Sequence, residues 1–141
     1  TWVHCLKGMK DFQLEQCLFG EHLLRKNPCK AIGVVESEKT ALVASLYWPK
    51  MLWLATGGKT SNTLSRLCIP EISKGRNITL FPDLGAYDQW VMAADTSLPS
   101  QIQVSDFLER NAGRAEREAG FDLADFFEKT DWKAFVNADS E

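Results

Sequence analysis

Hydrophobic residues along this chain gather into short runs separated by longer amphipathic stretches. Residues 31–35 form an apolar, β-branched run of the kind that a strand buried on both faces requires. Ser37 then predicts a helix cap over residues 38–47, with Ala41, Leu42, Ala44 and Leu46 available for packing and Pro49 as the stop. Residues 51–55 read as a second strand, closed by Thr56-Gly57-Gly58, and a second helix is expected over 61–68, before Pro70. Gly75-Arg76-Asn77 turns into a third strand at 78–81, a third helix follows at 86–94, and 102–104 is a short fourth strand. Strand alternating with helix at this spacing calls for right-handed crossovers and a central, mainly parallel sheet of about four strands. The expected class is α/β.

The two ends are patterned differently. Residues 2–19 alternate weakly, as a hairpin or an extended segment would, and 16–26 read as a helix in which Cys17, Leu18, Leu23 and Leu24 share a face until Asn27-Pro28 stops it. Residues 107–118 predict one charged helix whose Glu109, Arg114, Glu116 and Arg117 form a solvated face. After Gly120 a further helix opens at Asp122, with Asp122 and Asp125 as the helix-start acids that the helix dipole favours. Trp132 and Phe135 are expected to fold back onto the body. The division that follows is a leading segment and helix packed on the core (1–30), the main domain (31–135) and a tail (136–141).

At 141 residues, 45% hydrophobic and 25% charged, the chain is one globular domain with enough apolar surface for a core, which excludes a disordered protein. The net charge of −3 carries no global signal for a polyanion, but it is unevenly spread. Residues 1–104 hold 11 Lys/Arg against 9 Asp/Glu, whereas 105–141 hold 5 against 10. A polyanion is therefore expected to approach the first part, with the acidic end facing elsewhere. Cys5, Cys17, Cys29 and Cys68 make no C-x-x-C pair, so a zinc ribbon is not indicated; they read as reduced, mostly packed thiols of a cytoplasmic protein. No apolar run approaches the length of a membrane span. The opening Thr1 reads as the start of a piece cut from a longer protein.

A parallel sheet gathers its chemistry beyond the carboxyl ends of its strands. Glu36, the Thr56-Gly57-Gly58 turn and Asp83 each stand just past a strand, so all fall on one rim. Two carboxylates delivered by two strand ends can converge on a hard cation such as Mg²⁺, and a buried glutamate can act as a general acid or base. Taken from periodicity alone, a capping acid and a turn acid are the simpler reading. Lys39, Lys59 and Arg66 stand at or after the same rim, where they and the amides of Gly57 and Gly58 can meet phosphates, or serve as ordinary surface cations. Trp48, Trp53 and Trp90 sit in or beside periodic elements and read as packing rather than a base-stacking platform. His4 and His22 lie away from the rim and read as structural.

Four segments resemble a known family in the order it uses them. Val34-Val35-Glu36-Ser37-Glu38-Lys39-Thr40-Ala41-Leu42 resembles the first motif of the TOPRIM domain, and Ala55-Thr56-Gly57-Gly58 resembles the turn after its second strand. Leu80-Phe81-Pro82-Asp83-Leu84-Gly85-Ala86 stands where the family has Asp-x-Asp, and Gly120-Phe121-Asp122-Leu123-Ala124-Asp125-Phe126 resembles the tail of primase-type members. The wording looks most like the primase-like proteins of plasmids and mobile elements. The resemblance implies a Rossmann-like, three-layer TOPRIM-like fold, DNA or RNA and the other domains of a longer parent as partners, and Mg²⁺-dependent nucleotidyl transfer in DNA replication or mobilisation. It implies Glu36 as the acid/base glutamate and Asp83 as the first metal-binding aspartate. The second aspartate should stand at Gly85, and glycine offers no ligand; Asp88 is the available substitute. The departure leaves a degenerate, non-catalytic nucleic-acid or protein-binding module as the alternative.

Overall fold

The structure, a computed structural model, describes residues 7–8, 16–58, 61–68, 72, 74–99 and 102–130. Four strands, β1 (Ile32–Val35), β2 (Leu52–Ala55), β3 (Ile78–Leu80) and β4 (Ile102–Val104), form one sheet in the order β2-β1-β3-β4. Every pairing in it is parallel. The helices are α1 (Glu38–Tyr47), α2 (Tyr87–Ser97), α3 (Phe107–Asn111), α4 (Arg114–Ala119) and α5 (Leu123–Glu128), with 3₁₀ segments at Glu21–Lys26 and Ser61–Cys68. This is the α/β, Rossmann-like architecture with a four-stranded parallel sheet that the alternation predicts.

β1 and β2 are buried throughout because both faces of the sheet are covered there. On one face Ile32, Val34, Leu52, Leu54, Ile78 and Leu80 pack with Leu64, Leu67 and Trp90. On the other, Val35, Trp53 and Ala55 pack with Ala41 and Ala44 of α1 and with Leu123 and Phe127 of α5. The alternation of the two sets along β1 and β2 is the two-residue period of a strand. Each fully buried aliphatic side chain contributes about 2 kcal/mol, so the two layers together hold the sheet. Trp48 stands at the centre of an aromatic cluster, with ring centroids 5.1 Å from Phe127, 5.5 Å from Phe107 and 5.9 Å from Trp53. The tryptophans Trp53 and Trp90 are buried, in keeping with packing rather than base stacking.

Four expectations need correction. On α1 only Ala41 and Ala44 of the four expected packing residues are buried, while Leu42 and Leu46 face outward and are exposed. Residues 16–26 are not one helix: Phe19 forms an antiparallel bridge with Ala55 at the β2 edge, and only Glu21–Lys26 coils. Gly20 causes the change. Its φ of 80° is left-handed, and a Cβ there would lie 2.8 Å from the Trp53 carbonyl oxygen. The charged helix of 107–118 breaks into α3 and α4 where Ala112 and Gly113 are extended. The cysteines are not mostly packed, since Cys17, Cys29 and Cys68 are all exposed. Cys5, His4, Lys59, Trp132 and Phe135 lie outside the described residues.

Gly33 stands opposite Trp53 in the β1–β2 register, and an added Cβ would approach the indole ring to 2.5 Å. The indole has no flexible end to yield, so overpacking follows. Gly33→Ala is expected to lower unfolding free energy by about 2 kcal/mol, read as a lower urea midpoint at unchanged slope.

Candidate functional site

Glu36 leaves β1, one of the two inner strands, and is 3% exposed. The next strand end is built around its backbone. The Gly57 N–H donates to the Glu36 carbonyl at 3.0 Å, and the buried Thr56 hydroxyl donates to the Gly58 carbonyl at 2.9 Å. Asp83, half-buried, follows β3 on the same rim. Ser37 caps α1 by accepting from the Thr40 N–H at 3.1 Å, as its position predicts.

The rim carries a second acidic group that comes from far along the chain. Thr40, fully buried, donates its hydroxyl to Asp122 Oδ2 at 2.8 Å. Asp122 caps α5 in a capping box: its Oδ1 accepts from the Asp125 N–H at 2.9 Å, and Asp125 Oδ2 accepts from the Asp122 N–H at 3.1 Å. Lys39 reaches the same pair, 3.1 Å from Asp122 and 3.4 Å from Asp125. The acidic end therefore does not face elsewhere; its Asp122 and Asp125 return to the rim. Sequence patterning identifies both as helix-start acids, but their partners on α1 carry no local signal.

Burial opposes ionisation of Asp122, yet the Asp125 amide, the Thr40 hydroxyl and the Lys39 ammonium outweigh it and hold its pKa below the ordinary value. The hydrogen bond to Asp122 raises the Lys39 pKa against its own desolvation.

The residues singled out from the sequence are thus only partly brought together. Glu36, Asp83 and the Gly57 and Gly58 turn share the carboxyl edge of the sheet. Lys39 is engaged by two acids, Arg66 makes a two-pronged ion pair with Glu21 at 2.6 and 2.9 Å, and Lys59 lies outside the described residues. Asp88 is exposed in the first turn of α2 and lines a shallow cleft with Gly85, Tyr87 and Glu109. Gly85 has φ 84°, a left-handed conformation in which an aspartate would be strained. Among the described residues no group of three or more His, Cys, Asp or Glu side chains is placed to hold a metal ion. The donor set does not fit the two-aspartate Mg²⁺ site that the resemblance implies. A groove of about 470 Å³ opens away from this rim, beside the β2 edge, with Phe19, Leu23, Leu42 and Met51 in its wall.

Fold and rim define an α/β, Rossmann-like domain with an acid-rich carboxyl edge. By sequence, residues 1–84 match the family described as "Domain of unknown function (DUF6371)", and the chain belongs to that family. No curated protein sequence matches the chain. Among solved structures it is similar to a chain of a bacteriophage T7 assembly. That assembly is described as a lagging-strand DNA polymerase interacting with primase domains of two gp4 subunits bound to an RNA/DNA hybrid and dTTP. The identity is 24%, the TM-score 0.49, and the match spans 72% of this chain and 56% of that one.

Asp122→Ala removes both the α5 cap and the acceptor for Thr40, and is expected to cost about 3 kcal/mol in a denaturant titration. The depressed Asp122 pKa supplies stability that is present above its ordinary value and is lost as pH falls through the lowered one. Asp122→Asn should keep the cap and flatten the loss of stability below about pH 4. The raised Lys39 pKa supplies stability that is complete at neutral pH and lost only in strong base.

Proposed function

We propose that this chain is the TOPRIM-like domain of a longer, cytoplasmic primase-like protein of DNA replication or mobilisation, and that it handles nucleic acid without a complete cation site of its own. Glu36 carries this reading: it is buried at the carboxyl end of an inner strand of the sheet, in the wording Glu-Ser-Glu-Lys-Thr-Ala. Asp83 after β3 and the Thr56-Gly57-Gly58 turn after β2 support the same ancestry. Gly85 at the second aspartate position and the exposed Asp88 favour the non-catalytic form over Mg²⁺-dependent nucleotidyl transfer, since a two-carboxylate clamp needs both ligands at one place. Its partners are DNA or RNA and the other domains of the parent protein. Among the described residues no helix is long and apolar enough to cross a membrane.

The test measures binding to single-stranded DNA against salt, and template-directed ribonucleotide polymerisation with Mg²⁺ or Mn²⁺, for the wild type, Glu36→Gln and Asp83→Asn. The expected outcome is salt-weakened DNA binding, no polymerisation, and no shift in melting temperature at millimolar metal in any of the three. Metal-dependent synthesis that disappears in Glu36→Gln would restore the catalytic reading. Failure to bind nucleic acid at low salt would leave a protein-interaction role.

A further inference from the structure

All four strands run the same way, so the segments that lead into them share the edge of the sheet opposite Glu36. The segments into β1, β2 and β3 are strongly basic, while the one into β4 is uncharged. Residues 22–31, 48–51 and 74–77 contain Arg25, Lys26, Lys30, Lys50, Lys74 and Arg76, and no Asp or Glu. The carboxyl edge is the reverse: Glu36, Glu38, Asp83, Asp88, Asp106, Asp122 and Asp125 stand there with Lys39.

Arg76 and Lys30 also serve the fold. Arg76 donates to the carbonyls of Leu24 (3.0 Å) and Asn27 (2.8 Å), and Lys30 donates to the carbonyl of Pro49 (2.8 Å). A carbonyl is a neutral acceptor, so these bonds orient the charges without cancelling them. Arg25, Lys26, Lys30, Lys50 and Lys74 are exposed. The groove beside the β2 edge borders this face, with Lys30 and Pro49 among its lining residues and the exposed apolar side chains of Phe19, Leu23 and Leu42 in its wall.

We infer that the amino edge of the sheet, not the acidic rim, is where this chain meets a single-stranded nucleic acid, its cations neutralising backbone phosphates and the adjoining groove receiving a base. This deepens the nucleic-acid reading above and rests on it. A phosphate backbone is repelled by the acid-rich rim and drawn to an edge that carries six cations, where Glu21, which shares a recess with Arg25 and Arg76, is already paired with Arg66. An apolar recess next to phosphate-binding cations suits a single strand, whose bases are exposed, better than a duplex.

Fluorescence anisotropy with a labelled oligo(dT) of about 20 nucleotides, across a salt series, tests this. Arg25→Glu/Lys26→Glu and, on other loops, Lys50→Glu/Lys74→Glu are each expected to weaken binding at least about tenfold and to flatten the salt dependence by about 1.4 in log–log slope. Lys39→Ala is expected to bind as the wild type does, and a blunt duplex to bind less well than oligo(dT). Melting temperatures of both double variants show whether the fold is intact. If both bind like the wild type while Lys39→Ala loses binding, the rim is the interface and the inference fails with the nucleic-acid reading intact. Equal binding of duplex and single strand would overturn the groove's role. A wild type that binds neither at low salt removes the nucleic-acid reading itself.

Discussion

The hydrogen bond from the buried Thr40 hydroxyl to Asp122 joins the first turn of α1 to the cap of a helix at the far end of the chain. The arrangement of the rim depends on it. Thr40 is enclosed on α1 and already bonds the Ser37 side chain at 2.7 Å, so its position is set by the cap that starts the helix after Glu36. Asp122 supplies the next acceptor, and in doing so orients α5 so that Leu123, Ala124 and Phe127 are fully buried. A strand exit, a helix start and a distant helix cap are thereby one polar unit lying over an apolar one.

That unit decides the electrostatics. By returning Asp122 and Asp125 to the rim, the chain adds acids to the edge that holds Glu36 and engages Lys39. The basic residues are left at the opposite edge, close to the carboxyl ends of α1 and the Glu21–Lys26 segment, where cations are favoured by the exposed carbonyls. A domain of net charge −3 can therefore carry a distinctly basic edge. Glu36 and the Arg25–Lys50–Lys74 loops thus stand at opposite edges of one sheet.

Much of this is legible before any coordinates. The runs at β1 and β2, the Ser37 cap with α1, and β4 are local patterns, and local patterns specify them. Glu36 and Asp83 fall on the rim because a parallel sheet sends every strand exit the same way. The remainder depends on contacts across the chain. Gly20 breaks its helix with a left-handed φ of 80° next to the Phe19–Ala55 bridge, and nothing in residues 16–26 encodes that distant partner. Lys39 reads as a phosphate contact or an ordinary surface cation, and nothing near it in the sequence announces Asp122 and Asp125 as its partners. The basic edge is scattered through three separate loops and becomes a surface only once the strands are aligned.

A double-mutant cycle of Thr40→Val with Asp122→Asn tests the central claim most directly, because both substitutions keep volume and asparagine keeps the helix cap. A charge-assisted, half-buried hydrogen bond predicts a coupling energy of about 2 kcal/mol in denaturant unfolding. Additive effects, with coupling within about 0.3 kcal/mol of zero, would contradict the claim that this bond holds the acidic end at the rim.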